Sequence, residues 1–295
     1  MSKVRPFLML GVVVALGAVT VVLAGGRLPW TSTPHRCDIP ASVAGGAVSS
    51  SAAPGGGGVR VIEQGFTGAE DHSVSLGAIV ENSSTSVAYR TRVTFRTFDA
   101  EHNLLPPTEG SVDRRLVEIP VILPGQRTGV GLSTLMTRST EIASFEVEMG
   151  TTTWVSRPAL GQDYEPTTGA YLRVLRFNPK TPFNVDIHYK ETSPSCRSLG
   201  SRRTATVFRD AGGKIVGGSL DSPGGLIIFR DEQGRDLGGE WTLPAGQSCD
   251  QGERETWLTP SVPVPAVAAD ARTEVYPYCD LASPPYSSKP GTPGN

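Results

Sequence analysis

The 295-residue sequence predicts an all-β fold, two related β-sandwich domains behind one apolar N-terminal helix. Three observations carry this expectation. From Val59 onward, short runs of alternating apolar residues are separated by Gly, Pro, Asn and Asp, and no amphipathic helix exceeds two turns. A turn built around Phe and Asp recurs along the chain. The one long apolar run, Phe7 to Ala24, stands ahead of all of these.

That run contains only uncharged residues and, as a helix rising about 1.5 Å per residue, spans roughly the hydrocarbon thickness of a bilayer. Lys3 and Arg5 precede it, which favours a cytoplasmic N-terminus. Residues 1–26 are therefore expected to be a signal anchor, or a signal peptide if the chain is cut after Val22-Leu23-Ala24. The protein would be single-pass with its C-terminal region outside the cytoplasm, or secreted. Lipid modification is disfavoured, because Cys37 lies well beyond the apolar run.

Residues 27–58 are expected to form a flexible tether, since Gly45 to Gly58 carries no bulky residue except Val48. The first sandwich then covers 59–157. Its strands are expected at Val59–Glu63, Ser73–Glu81, Ala88–Phe98, Arg115–Ile119, Gly129–Leu135 and Ser144–Met149. On the third of these, Val93, Phe95 and Thr97 share one face, while Thr94, Arg96 and Phe98 share the other. Turns are expected at Asn82-Ser83-Ser84, at Asp99 to Asn103 and at Leu123 to Gln126. Residues 158–169 carry two prolines and glycine and have no period, and are expected to link the domains.

The second sandwich covers 170–281, with strands at Tyr171–Phe177, Asn184–Tyr189, Thr204–Phe208, Leu226–Phe229 and Thr273–Tyr278. Pro260 to Pro265 is expected to be extended loop or edge, because proline cannot donate to a ladder. Residues 282–295 are expected to be a disordered tail. Phe208-Arg209-Asp210-Ala211-Gly212-Gly213 recurs 21 residues later as Phe229-Arg230-Asp231-Glu232-Gln233-Gly234. Phe98-Asp99-Ala100-Glu101-His102-Asn103 occupies the same place in the first half, with Asn103 expected to take the left-handed conformation.

Four cysteines, Cys37, Cys196, Cys249 and Cys279, fall on the expected outer side, so two disulfides are expected, mainly within the C-terminal half. No Cys-x-x-Cys spacing points to zinc or to redox chemistry. The chain carries 27 basic and 29 acidic residues, and such a balance argues against a nucleic-acid partner. No cofactor or metal site is expected.

Phe95-Arg96-Thr97-Phe98-Asp99 resembles the F-x-L-Y-D signature of the FxLYD domain, a module of prokaryotic secreted and membrane-anchored proteins. Gly77 to Ser83 resembles that family's G-x-V-x-N-x-S strand and turn, and Leu123-Pro124-Gly125 resembles its L-x-P-G turn. The resemblance covers roughly residues 59–157 and, more loosely, 170–280. It implies immunoglobulin-like or fibronectin-like sandwiches without catalysis, and it supplies no catalytic residues. Thr97 departs from the family's aliphatic position.

The residues themselves point the same way. There is no Gly-x-Ser-x-Gly elbow, and His35, His72, His102 and His188 are scattered, so no catalytic residue is expected and an unrecognised hydrolase ranks last. Asp231 to Asp236 lacks the ligand pattern of a calcium loop. The leading expectation is a noncatalytic cell-envelope protein that contacts another envelope protein or cell-wall polymer. The alternative is a carbohydrate-binding module, for which Trp257, Tyr276 and Tyr278, with Trp241, would form an aromatic platform. Set against that is the use of these few aromatics in the core.

Overall fold

The computed structural model describes residues 36–43, 47–105, 116–176, 185–223, 226–230, 236–241, 248–260 and 262–282. The chain divides into two units, Met1–Cys37 and Asp38–Asn295. The expected apolar helix at Phe7 to Ala24, the calcium-like turn at 231–235 and most of the expected tail lie outside the described residues. Among those described, no helix is long and apolar enough to cross a membrane.

The described residues of Asp38–Asn295 are mostly antiparallel sheet, as expected, in four layers that pack on one another. Sheet I joins Val48–Ser50 (β1), Thr152–Val155 (β9), Val87–Phe98 (β4), Leu104–Leu105 (β5), Leu116–Ile122 (β6) and Ser144–Met149 (β8). Sheet II is Val59–Gly68 (β2), Ser73–Asn82 (β3) and Arg127–Leu135 (β7). Sheet III is Ile215–Asp221 (β13), Leu199–Arg209 (β12), Ser248–Cys249 (β16) and Glu274–Asp280 (β18). Sheet IV is Thr168–Arg176 (β10), Val185–Ser193 (β11) and Gly252–Leu258 (β17). Leu226–Arg230 (β14) and Asp236–Trp241 (β15) form a separate hairpin.

Sheets I and II make the first sandwich. Period-two alternation sends Val74, Leu76, Ala78 and Val80 of β3, with Val130 and Leu132 of β7, onto Val93, Phe95, Val117, Ile119, Phe145 and Trp154 of sheet I. Val93, Phe95 and Thr97 are buried together, as the β4 alternation predicts. Sheets III and IV make the second sandwich, where Phe208, Val216 and Val275 meet Val185, Ile187, Tyr189 and Leu258.

The other face of sheet II rests on sheet III, and here the two halves touch main chain to main chain. β3 and β7 present Ser75, Gly77, Gly129 and Gly131, while β13 presents Gly217 and Gly218. A Cβ on Gly77 would lie 2.1 Å from the Gly217 carbonyl oxygen, and one on Gly131 would lie 2.5 Å from the Ser219 nitrogen. Only glycine permits that approach. The Ser75 hydroxyl accepts from Gly218 N at 2.9 Å and donates to Gly218 O at 3.0 Å, and Thr67 Oγ1 donates to Val216 O at 2.6 Å. The halves expected as separate modules thus share one compact unit.

Two sequence expectations change. Part of the expected tether is strand: β1 pairs with β9, where Trp154 Nε1 donates to Ser50 O at 3.2 Å, and Ala53 is buried. In the Asp99 turn the left-handed residue is His102 (φ 63°), not Asn103. Its ring stacks on Phe98 with centroids 4.4 Å apart.

The repeated turn itself is present in both halves. Asn103 N donates to Asp99 Oδ1 at 2.7 Å, and Lys214 N donates to Asp210 Oδ1 at 2.9 Å. Gly213 (φ 90°) takes the place of His102. The β12–β13 and β14–β15 hairpins shift register at the same point of the repeat, Phe208/Arg209 and Phe229/Arg230. Asn82 is fully buried and spends its side chain on its own turn: Nδ2 donates to Ser86 O and Ile122 O, and Oδ1 accepts from Ser84 N and Oγ. That leaves Asn82 as a structural brace, the turn reading of Asn82-Ser83-Ser84. Gly125 (φ 71°) completes the Leu123–Gln126 turn.

All four cysteines are disulfide-bonded. Cys249 and Cys279, both buried, are bridged with Cα atoms 6.1 Å apart at the start of β12, within the C-terminal half as expected.

Candidate functional site

The aromatic candidates fall in two places. Tyr276 and Tyr278, two apart on β18, do share a face, and that face points to β7. Tyr278 is buried and its hydroxyl donates to Gly129 O at 2.7 Å; burial pushes its pKa above the usual tyrosine range. The Tyr276 ring occupies the space a Gly129 side chain would fill, 2.4 Å from where a Cβ would stand, and its hydroxyl donates to Glu274. Trp257 lies in sheet IV on the opposite side of the second sandwich, its ring 6.1 Å from that of His188. The three therefore do not form one platform. Trp241 ends β15, and its side chain lies outside the described residues.

Beside the tyrosines is a half-open cleft of about 200 Å³. One wall is β6 and the turn into β7, with Ile119, Pro120, Gln126 and Arg127; another is β18, with Tyr276, Pro277 and Tyr278. The third is the segment expected to be a domain linker, which supplies Tyr164, Pro166, Thr167 and Thr168. Tyr164 is 2 % exposed, and no hydrogen bond to its hydroxyl occurs among the described residues. Burial raises its pKa, and the charge of Asp280 adds to this. Thr167 Oγ1 is likewise buried without a partner. Sequence reading missed both residues, because a segment without periodicity carries no signal of where it packs.

Behind the cleft is a polar knot. Asp280, fully buried, accepts from Tyr89 OH at 2.8 Å, Arg90 Nη2 at 3.0 Å and Arg202 Nη2 at 2.7 Å. Burial alone would raise the pKa of Asp280, but Arg90, Arg202 and the Tyr89 hydroxyl outweigh it and hold the carboxyl below its usual range. Arg90 reaches this position from a left-handed backbone (φ 52°). The knot ties β4 of the first sandwich to β12 and β18 of the second.

A second buried carboxylate, Glu191 on β11, faces Arg254 of β17 at 2.6 Å, yet neither of its oxygens has an aligned hydrogen-bond donor. Burial raises its pKa more than Arg254 lowers it. On the outer face of sheet IV, Glu255 bridges Arg173 and His188, with His188 Nδ1 3.0 Å from Glu255 Oε1, and Asp186 accepts from Thr259 Oγ1 at 2.7 Å. The described histidines stand apart. His72 sits in the β2–β3 turn, where Asp71 accepts from Ser73; His102 lies in the β4–β5 turn and His188 on β11.

Compared with known proteins, the chain matches no family model and shows no significant similarity to a curated protein.

Proposed function

We propose that the chain is a noncatalytic extracytoplasmic protein, anchored through Phe7 to Ala24 or secreted after cleavage, whose two immunoglobulin-like sandwiches make contacts with another envelope protein or with cell-wall polymer. The observation that carries this reading is the buried Cys249–Cys279 bridge in a chain with no unpaired described cysteine, since such cross-links persist in oxidising compartments. The Asp99 turn and the Asn82 brace agree with the FxLYD resemblance in the first sandwich, because there the quoted residues are structural parts of the fold. The outermost sheets supply the surfaces.

Fractionation of the native host, with external protease and thiol labelling on intact cells, tests this. The expected result is membrane-associated or released protein that is cut by external protease and has its thiols blocked until reduced. Recovery in the cytosol with four reactive thiols would overturn it.

A further inference from the structure

We propose that the cleft beside Tyr276 binds a single uncharged, hydroxyl-rich ring, the pyranose or furanose unit of a carbohydrate. This goes beyond the envelope reading and stands whether or not the chain is membrane-held.

Two hydroxyls of the lining make no hydrogen bond among the described residues. A buried polar group without a partner costs about 1–3 kcal/mol, and native proteins keep few of them. Here Thr167 Oγ1 is one, in the lining of a small cleft, and Tyr164, on the same short segment, lines that cleft with a hydroxyl that makes no hydrogen bond among the described residues. Each can both donate and accept, which suits the hydroxyls of a polyol. Gln126 adds an amide, whose oxygen is already taken by Leu123 N at 2.8 Å, leaving its NH₂ group as a donor.

Charge narrows the ligand further. Arg127 is the only charged residue among the described lining, and its Nε is held by Glu81 Oε1 at 3.2 Å. One exposed guanidinium already paired with a carboxylate, with no second cation in the described lining, favours a neutral ligand over a phosphate. Shape and size narrow it as well. The rings of Pro166, Pro277 and half-buried Tyr276 give flat apolar walls of the kind that pack against the C–H faces of a sugar. The volume of about 200 Å³ falls below the roughly 300–1,000 Å³ of sites for drug-sized ligands, which limits the occupant to one ring.

The test is titration of the full chain, in a detergent that carries no sugar, with glucose, galactose, mannose, arabinose and N-acetylglucosamine. Binding is followed by saturation-transfer NMR on the sugar, and protein stability by thermal unfolding. At least one sugar should bind saturably. Thr167→Val and Tyr164→Phe should each weaken that sugar about three- to tenfold, the loss of one hydrogen bond. Thr167→Val should leave the thermal midpoint of the free protein unchanged or higher, because the hydroxyl it removes has no partner. Thr94→Val, on the outer face of β4, should bind as the wild type does. Absence of saturable binding by every sugar would overturn the proposal, as would binding that neither cleft variant alters, in which case water alone serves the two hydroxyls. Either result leaves the compartment reading untouched.

Discussion

Within each sandwich, sheets are held apart by side chains: Leu76, Phe95 and Phe145 fill the space between sheets I and II, and Phe208, Ile187 and Leu258 fill that between III and IV. Between sheets II and III, side chains do this only in part, where Ile79, Val207 and Ile215 pack with Tyr276, and elsewhere peptide groups meet. Gly77 and Gly131 bring β3 and β7 onto the backbone of β13, and Ser75 bonds to it directly. The difference teaches that one fold can use two currencies of attachment. Interdigitated side chains tolerate small repacking, whereas contact between backbones admits no added atom.

The largest effect separating the two regions should come from the polar knot at the join. Asp280→Asn leaves Arg202 and Arg90 without their buried counter-charge and should cost about 3–5 kcal/mol in urea unfolding at neutral pH. The same carboxylate sets an acid limit. Its folded pKa lies below the unfolded value of about 3.9, so its contribution is present above that pH and is lost as pH falls further. Unfolding free energy measured against pH should drop below about pH 4 in the wild type, and this component should vanish in Asp280→Asn.

Next comes the bridge across the start of β12. Cys249→Ala with Cys279→Ala should lower stability by about 2–4 kcal/mol, because the bridge closes a loop between residues 30 apart.

Gly77→Ala should cost about 1–3 kcal/mol through overpacking. Combined with Gly131→Ala it should cost less than the sum of the two, since either methyl already pushes the same sheets apart. Strict additivity, or a loss no greater than that of Gly58→Ala, where the nearest atom stands 3.8 Å away, would show that the join does not depend on backbone contact.

The smallest effect belongs to Glu191. Its folded pKa is raised, so protonation favours the folded state as pH falls through that value, opposite in sign to Asp280. Glu191→Gln should stay within about 1 kcal/mol of the wild type at neutral pH. It should also remove that acid-side gain from the stability profile.

Strand positions were legible because β4 and β3 alternate cleanly, and the Asp99 and Asp210 turns because Asp with a left-handed residue three positions on writes the same hydrogen bonds twice. What the alternation of Ser75 and Gly77 with Leu76 and Ala78 did not disclose is that the small-residue face is covered. A small residue marks both a solvent-facing strand and a close approach, and only the partner sheet decides between them. The cleft was half legible. Tyr276 and Tyr278 were singled out from their spacing, but Tyr164 and Thr167 come from a segment whose packing depends on distant strands, and Asp280 looked like an ordinary charge after a cysteine. His102 was missed as the left-handed residue because Asn was the more familiar occupant of such positions.

Where glycines bring sheets II and III backbone to backbone, no side chain can be added without moving a sheet. Substitution is thereby freer on the outward faces of sheets I and IV than at the glycine contacts. Those close approaches fix the two sandwiches against each other, so the two outward surfaces keep a set spacing.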